Sequence, residues 1–255
     1  MTTGERRVLV TNDDGISSPG LRILVERLAA EVGRVVVVAP DREQSGASHA
    51  LTLQHPLRIT EIDDGWYSVD GTPTDCVNLA FFQLMEEPPD VVVSGINAGY
   101  NLGEDVTYSG TVAGALEGRI LGAPSLAVSA ERSATPEQLE LTAGIAAHLA
   151  TFVIERGLSG DGFLNVNVPP GARGYRVTRQ GRRGDRSGVV TRRDPKGREY
   201  HWIGIAATDW RADPRADHSA VREGLVSVTP LHSDLTFHRA IPDIEGWELP
   251  AETVP

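Results

Sequence analysis

Asp13 and Asp14 are adjacent carboxylates, preceded by Asn12 and followed by Gly15, directly after the short apolar run RVLVT at residues 7–11. Neighbouring carboxylates repel unless a cation or a shared proton relieves them, so the pair suits a hard divalent metal. Asp-Asp-Gly is equally an ordinary turn between a strand and a helix, and other segments must decide. Two supply partners: residues 41–48 (DREQSGAS), carrying Ser45, and residues 95–111 (GINAGYNLGEDVTYSGT), carrying Asn97. Asp13, Asp14, Ser45 and Asn97 together form an oxygen-only donor set fitted to Mg2+ or Mn2+ rather than zinc. Ser109, Gly110 and Thr111 stand where a helix begins, and backbone N–H groups, two hydroxyls and the helix dipole there can hold a phosphate. The same Ser and Thr also read as N-caps.

These residues need elements that bring them together. Residues 7–11, 34–39 (RVVVVA), 90–94 (DVVVS), 125–129 (SLAVS) and 163–168 (FLNVNV) are apolar runs of the kind buried in parallel sheets. Between them, Leu21, Leu24, Val25 and Leu28 share one helical face. Thr74 reads as an N-cap for a helix within residues 71–87, residues 111–121 form a helix rich in small side chains, and Thr135, Pro136 and Gln138 open a helix running to about Arg156. Pro56 and the Asp64-Gly65 turn mark residues 51–70 as a β-hairpin or similar excursion. The order predicts an α/β fold with a Rossmann-like, doubly wound, mostly parallel sheet. In such sheets ligands bind at the carboxyl ends of the strands, which is where all three loops emerge.

Beyond Pro170 the pattern changes to Gly-punctuated, Arg-rich strands. Residues 1–170 read as the catalytic core, and 171–255 as a β-hairpin arm and C-terminal tail forming one structural unit with it. Residues 171–198 hold nine Arg and Lys196 against Asp185 and Asp194, a local charge of +8, whereas the whole chain carries −11 and the remainder −19. That imbalance suggests an arm meeting an acidic neighbouring subunit; the overall charge argues against nucleic acid or anionic membranes as partners. No stretch approaches a membrane span and the first residues lack the apolar core of a signal peptide, so the chain reads as soluble and cytoplasmic. Cys76, the one cysteine, rules out an internal disulfide and reads as a buried thiol. The single lysine is followed by Gly197, which excludes a Walker loop.

The segments NDDGISSPG, VVAPDREQSGAS, GTPTDCV, VVSGINAGYNLGEDVTYSGTVAGALEG, FLNVNVP and EGLVSVTPL, in this order from Arg7 to about His238, resemble the SurE (survival protein E) family of metal-dependent nucleotidases. The resemblance implies a phosphatase that hydrolyses nucleoside 5'- and 3'-monophosphates, with some action on short polyphosphate, using one Mg2+ or Mn2+ per subunit. It places the family's metal ligands on Asp13, Asp14, Ser45 and Asn97, with Asp13, Asp14 and Asn97 serving catalysis, and the phosphate-contacting loop on Ser109, Gly110 and Thr111. It also implies a homodimer or homotetramer built through an extended hairpin, roughly residues 185–200, and an exchanged tail.

Competing classes fit less well. A receiver-like Mg-binding signalling domain also opens with an acidic pair, but needs an acceptor Asp where the third central strand here ends in Ser94, and a later Lys. A nicotinamide-dependent dehydrogenase needs G-x-G-x-x-G in place of NDDGIS, and a haloacid-dehalogenase phosphatase D-x-D. Outside the main set, Asp105 and Asn101 are candidates to support the third loop, and Tyr108 lies beside it. His49 reads as a solvated loop histidine and His232 and His238 as structural. Trp66, Trp202 and Trp210 read as core or interface residues rather than base-stacking platforms.

Overall fold

A computed structural model describes residues 5–184, 188–203 and 209–247. Its central strands are β1 (Arg7–Thr11), β2 (Arg34–Pro40), β5 (Val91–Ala98), β6 (Ser125–Ala130) and β7 (Gly162–Val168). All pair in parallel in the spatial order β2-β1-β5-β6-β7. The excursion between β2 and the next helix is an antiparallel pair, β3 (Ile59–Asp63) and β4 (Trp66–Val69), turning at Gly65, and β4 joins β2 in parallel. The core order from β4 to β7 is therefore that of a doubly wound nucleotide-binding sheet, and chain direction across the sheet reverses between β1 and β5. That reversal opens a crevice at the carboxyl ends of these two strands.

Helices cover both faces. On one side lie α1 (Pro19–Glu31) and α4 (Pro136–Arg156), burying Leu21, Leu24, Val25 and Leu28 against Val10, Val37, Val93 and Val128. On the other lie α2 (Pro73–Leu79) and α3 (Gly110–Ile120). Cys76 is a free, buried thiol in α2, packed with Leu9, Val38 and Val92.

Two local expectations need correction. The N-cap of α2 is Thr72, not Thr74: Thr72 and Asp75 form a reciprocal capping box with Pro73 at the first helical position, while Thr74 is buried one residue inside the helix. The third central strand does not stop at Ser94 but runs to Ala98 through a register shift against β6, so Asn97 sits on the strand's last turn of pairing, not in a free loop.

The chain's last third returns to the same sheet. β11 (Val226–His232) pairs antiparallel with β7, and β8 (Tyr175–Val177) lies parallel beyond it. The short helix α5 (Asp217–Arg222) precedes β11. The Arg-rich hairpin is β9 (Val189–Arg193) with β10 (Glu199–Ile203), turning through Asp194 and Gly197 and pairing only with itself among the described residues. It lies three or four residues beyond the boundaries read from sequence, and residues 185–187 of that reading fall outside the described residues. A last helix, α6 (Ile241–Glu245), ends the described chain with Phe237 and Trp247 exposed around it. No helix among the described residues is long and apolar enough to cross a membrane.

Candidate active site

The three loops meet at the crevice. After β1, the Asn12 side-chain amide donates to the Gly15 carbonyl and locks the turn, and the two aspartates leave in different directions. Asp13 is buried and faces α3: the Thr111 hydroxyl donates to its carboxylate at 2.5 Å. A Cβ on Gly110 would stand 2.8 Å from that of Asp13, so only glycine lets the helix start come this close. Asp14 is half-buried and faces β5, accepting from the Ala98 N–H at 2.9 Å, one residue beyond Asn97. The second loop closes over both. Gln44 donates its N–H to the Asp13 carbonyl at 2.7 Å, while Ser48 donates its N–H to the Tyr108 carbonyl and its hydroxyl to the Thr107 carbonyl.

Charge balance at this rim is poor in the protein alone. Burial pushes the Asp13 carboxyl up to about 6, with Asp14 adding repulsion and the Thr111 hydrogen bond pulling back. Burial raises Asp14 as well, and Glu43 adds to it, against the Ala98 N–H and the Arg132 guanidinium. Asn12 carries a buried side-chain oxygen that lacks a hydrogen-bond partner. Asn97 donates its amide to the Gly99 carbonyl, which leaves its side-chain oxygen as a free acceptor. Among the described residues no three His, Cys, Asp or Glu side chains gather as a metal cluster, so a metal here would depend on neutral oxygens beside two carboxylates. Two under-neutralised carboxylates beside uncommitted amide oxygens fit a hard divalent cation.

Not every expected residue is equally placed. Ser45 is exposed and donates its hydroxyl to Glu43; its loop, rather than its side chain, is tied to Asp13. Ser109 accepts from the Val112 N–H as the N-cap of α3. The anion nearest this helix start is Asp13 itself. His49 is not merely solvated: it pairs at 2.6 Å with buried Glu117 on α3, which also accepts from Asn78. Asp105 binds Arg183 and stands apart from the acidic pair's contacts. Trp210 stacks flat on His218 at 4.6 Å and lies under the Arg183 guanidinium, and Trp202 is exposed on the arm. His238 pairs with Asp234.

Asn101 is among the residues expected to support the third loop; the sequence reading missed Asp217 and the groups that hold Asn101. Asn101 lies buried among Asn165, Asn167 and Ser129, its N–H donated to Asn167 and its carbonyl accepting from both asparagine amides. FLNVNV alternates, and its two Asn point to one face; that was the available signal. Asp217 is fully buried and accepts from the N–H groups of Gly103, Gly181 and His218 at 2.7–3.1 Å. Gly103 holds φ +55 with the Trp210 ring against it, and begins the 3-10 turn Gly103–Thr107 that leads into Ser109. Glu43 and Arg132 were likewise passed over, because isolated charges in loops carry no spacing signal.

The family model for survival protein SurE matches residues 8–187. The chain belongs to the SurE family. It is 50% identical to the "5'-nucleotidase SurE" of Geobacter sulfurreducens over 96% of this chain and 94% of that protein. It is 49% identical to the one from Nitrosococcus oceani over 94% and 97%. The crystal structure of the SurE protein from Aquifex aeolicus superimposes with a TM-score of 0.84 at 46% identity, over 95% of this chain and all of that one. In this SurE-family chain the acidic pair, the β5 terminus and the α3 start thus sit on a fold shared with a solved relative.

Proposed function

We propose that this chain is a divalent-metal-dependent 5'-nucleotidase that hydrolyses nucleoside 5'- and 3'-monophosphates, with short polyphosphate as a secondary substrate. Its relatives are named as 5'-nucleotidases, and the observation that carries the chemistry is the Asp13-Asp14 pair at the point where strand order reverses, one carboxylate tied to α3 and the other to β5. Asp13, Asp14, Asn97 and Ser45 would hold Mg2+ or Mn2+. When bound, the ion supplies Lewis acidity and neutralises phosphoryl charge. The protein's own work is positioning. The backbone at Gly110 and Thr111, with the α3 dipole, orients phosphoryl oxygens beside Asp13, and Ser109 fixes that helix start by capping it. Asn97 presents a neutral oxygen where a third carboxylate would add repulsion.

The test is phosphate release from a panel of nucleotides after dialysis against EDTA, then with Mg2+ or Mn2+ restored. Chelation should lower turnover at least about tenfold and the ion should restore it. Undiminished turnover after chelation refutes the metal assignment.

We further propose that the protein acts as a homodimer or homotetramer assembled through the arm and tail. The β9–β10 hairpin has Val189, Trp202 and Ile203 exposed, Ile203 by 89%, while Arg193–Glu199 and Arg198–Asp194 ion pairs satisfy part of its charge internally. An isolated two-stranded hairpin is marginal in water, so a second copy covering these side chains accounts for its persistence. Trp202→Ala combined with Ile203→Ser should shift the sedimenting mass downward; an unchanged mass would count against the arm as the contact.

A further inference from the structure

Glu117 is a buried carboxylate outside the contacts of the acidic pair. It lies in the last turn of α3, about two turns beyond Gly110, where the helix dipole disfavours a negative side chain. Burying a carboxylate is costly unless its oxygens find partners, and both do. One accepts from the Asn78 amide of α2 at 2.6 Å, and the other stands 2.6 Å from His49 Nε2. Asn78 also donates to the Thr74 carbonyl, so Glu117 is fixed from the helix side and presents its second oxygen to the loop after β2. That loop has two halves. Residues 48–52 form a strap with partners along its length: Ser48 donates its N–H to the Tyr108 carbonyl and its hydroxyl to the Thr107 carbonyl, and His49 meets Glu117. The Ala50 carbonyl accepts from the Thr72 hydroxyl, and Thr52 donates its N–H and hydroxyl to Asp75. Residues 42–46 are mostly exposed and are tied to the Asp13 carbonyl by the Gln44 N–H. This half carries Glu43, whose charge adds to that on Asp14, and Ser45, which donates to Glu43.

We infer that Glu117 is a positioning residue: through His49 it pins the strap, and the strap holds Gln44, Glu43 and Ser45 at the acidic pair, so that breaking the Glu117–His49 contact weakens binding of the divalent ion. This rests on the metal-dependent reading of the site. Two observations carry it. The first is that α3 is common to both loops: Thr111 at its start holds Asp13 of the first, and Glu117 in its last turn holds His49 of the second. One rigid helix therefore keeps the two loops in register. The second is the backbone at Ser48, which stands at φ +56, a left-handed conformation that side chains other than glycine resist. Such a residue persists only where its surroundings over-determine it, and here the Tyr108, Thr107 and Glu117 contacts bracket it. Releasing His49 frees one side of that bracket, and the exposed half of the loop is left with the Gln44 bond to hold it on Asp13.

The experiment follows hydrogen exchange of the Gln44, Ala47 and Ser48 amides in the metal-free full chain, with residues 112–120 of α3 as the internal control. His49→Ala should speed exchange at these amides about tenfold and leave α3 within about twofold. Glu117→Gln, which keeps the acceptor for Asn78, should move the same amides in the same direction by several-fold. The double variant should exchange no faster than His49→Ala, and His49→Gln, which keeps an N–H donor, should return to within about threefold of the unsubstituted protein. Mn2+ binding, read from loss of the free ion's paramagnetic resonance signal, should weaken about fivefold in His49→Ala. The Mn2+ concentration for half-maximal hydrolysis of p-nitrophenyl phosphate should rise in step, while kcat at saturating Mn2+ stays within about threefold. Loop exchange within about twofold of the unsubstituted protein in His49→Ala, a double variant whose two effects multiply, or α3 exchange rising alongside the loop overturns the clamp. Faster loop exchange with unchanged Mn2+ binding overturns its bearing on the site. An unsubstituted protein that binds no Mn2+ overturns the metal reading itself, and with it the part assigned to Glu117 and His49.

Discussion

Replacing Asp13 by Asn is expected to reduce phosphate release from nucleotides on the order of a thousandfold, and at the same time to make the metal-free protein harder to melt. Both effects come from one carboxylate. Its loss removes a ligand charge from the proposed ion, while the retained side-chain oxygen still accepts from Thr111. The stability gain follows from linkage. Burial lifts the folded-state value of Asp13 from 3.8 to about 6, so the folded state binds the proton more tightly than the unfolded chain does. The carboxylate costs nothing below about pH 4; its penalty grows as pH rises toward about 6 and then levels at roughly 3 kcal/mol. The variant's melting advantage in EDTA should therefore be near zero at pH 4 and reach about 5 °C at pH 8. Added Mg2+ or Mn2+ should raise the melting point of the unsubstituted protein and not that of the variant. A variant that melts lower at pH 8, or keeps its turnover, would remove Asp13 from the centre of the site.

The second large effect lies 114 residues from the loop it governs. Asp217 accepts three buried backbone N–H groups, from Gly103, Gly181 and His218, at a position with no exposure. Asp217→Ala leaves all three donors orphaned and should cost about 3–5 kcal/mol of stability in denaturant unfolding. Asp217→Asn is the sharper variant. It keeps one oxygen but turns an amide against the Gly103 N–H or the Gly181 and His218 pair, so the 3-10 turn ahead of Ser109 loses its anchor while most of the core survives. Turnover should fall more than the melting point does. A loss below 1 kcal/mol in the alanine variant would show that the Arg183, Glu104 and Gln180 contacts hold the turn without Asp217.

The sheet was legible because a buried parallel strand must be apolar on both faces, and VLV, VVVV and DVVV can be little else. Helix starts were legible where proline and a hydroxyl coincide, as at Thr135 and Pro136; at Thr72 the same rule was available, but the hydroxyl one residue beyond the proline was preferred. The convergence of Asp13, Asp14 and Asn97 could be read from topology alone, since strand order dictates which loops share an edge. What could not be read were contacts fixed by tertiary packing. Asp217, Arg183 and Trp210 lie in a segment whose local pattern says only that it is polar, and the loop residues they hold lie far back in the chain, 114 positions for Asp217 with Gly103 and 78 for Arg183 with Asp105. Ser45 lay on the loop the sequence indicated; its hydroxyl donation to Glu43, a loop contact two residues away, carried no spacing signal.

The buried tie between Gly103 and Asp217 also sets a clock on the ribosome. The rim's carboxylates emerge first, whereas the carboxylate that accepts the Gly103 N–H follows that glycine by 114 residues, an interval on the order of ten seconds at elongation rates of about 5–20 residues per second. A partly made polypeptide thus spends that interval with the turn ahead of Ser109 incompletely tied, and this contact forms only after Asp217 has emerged.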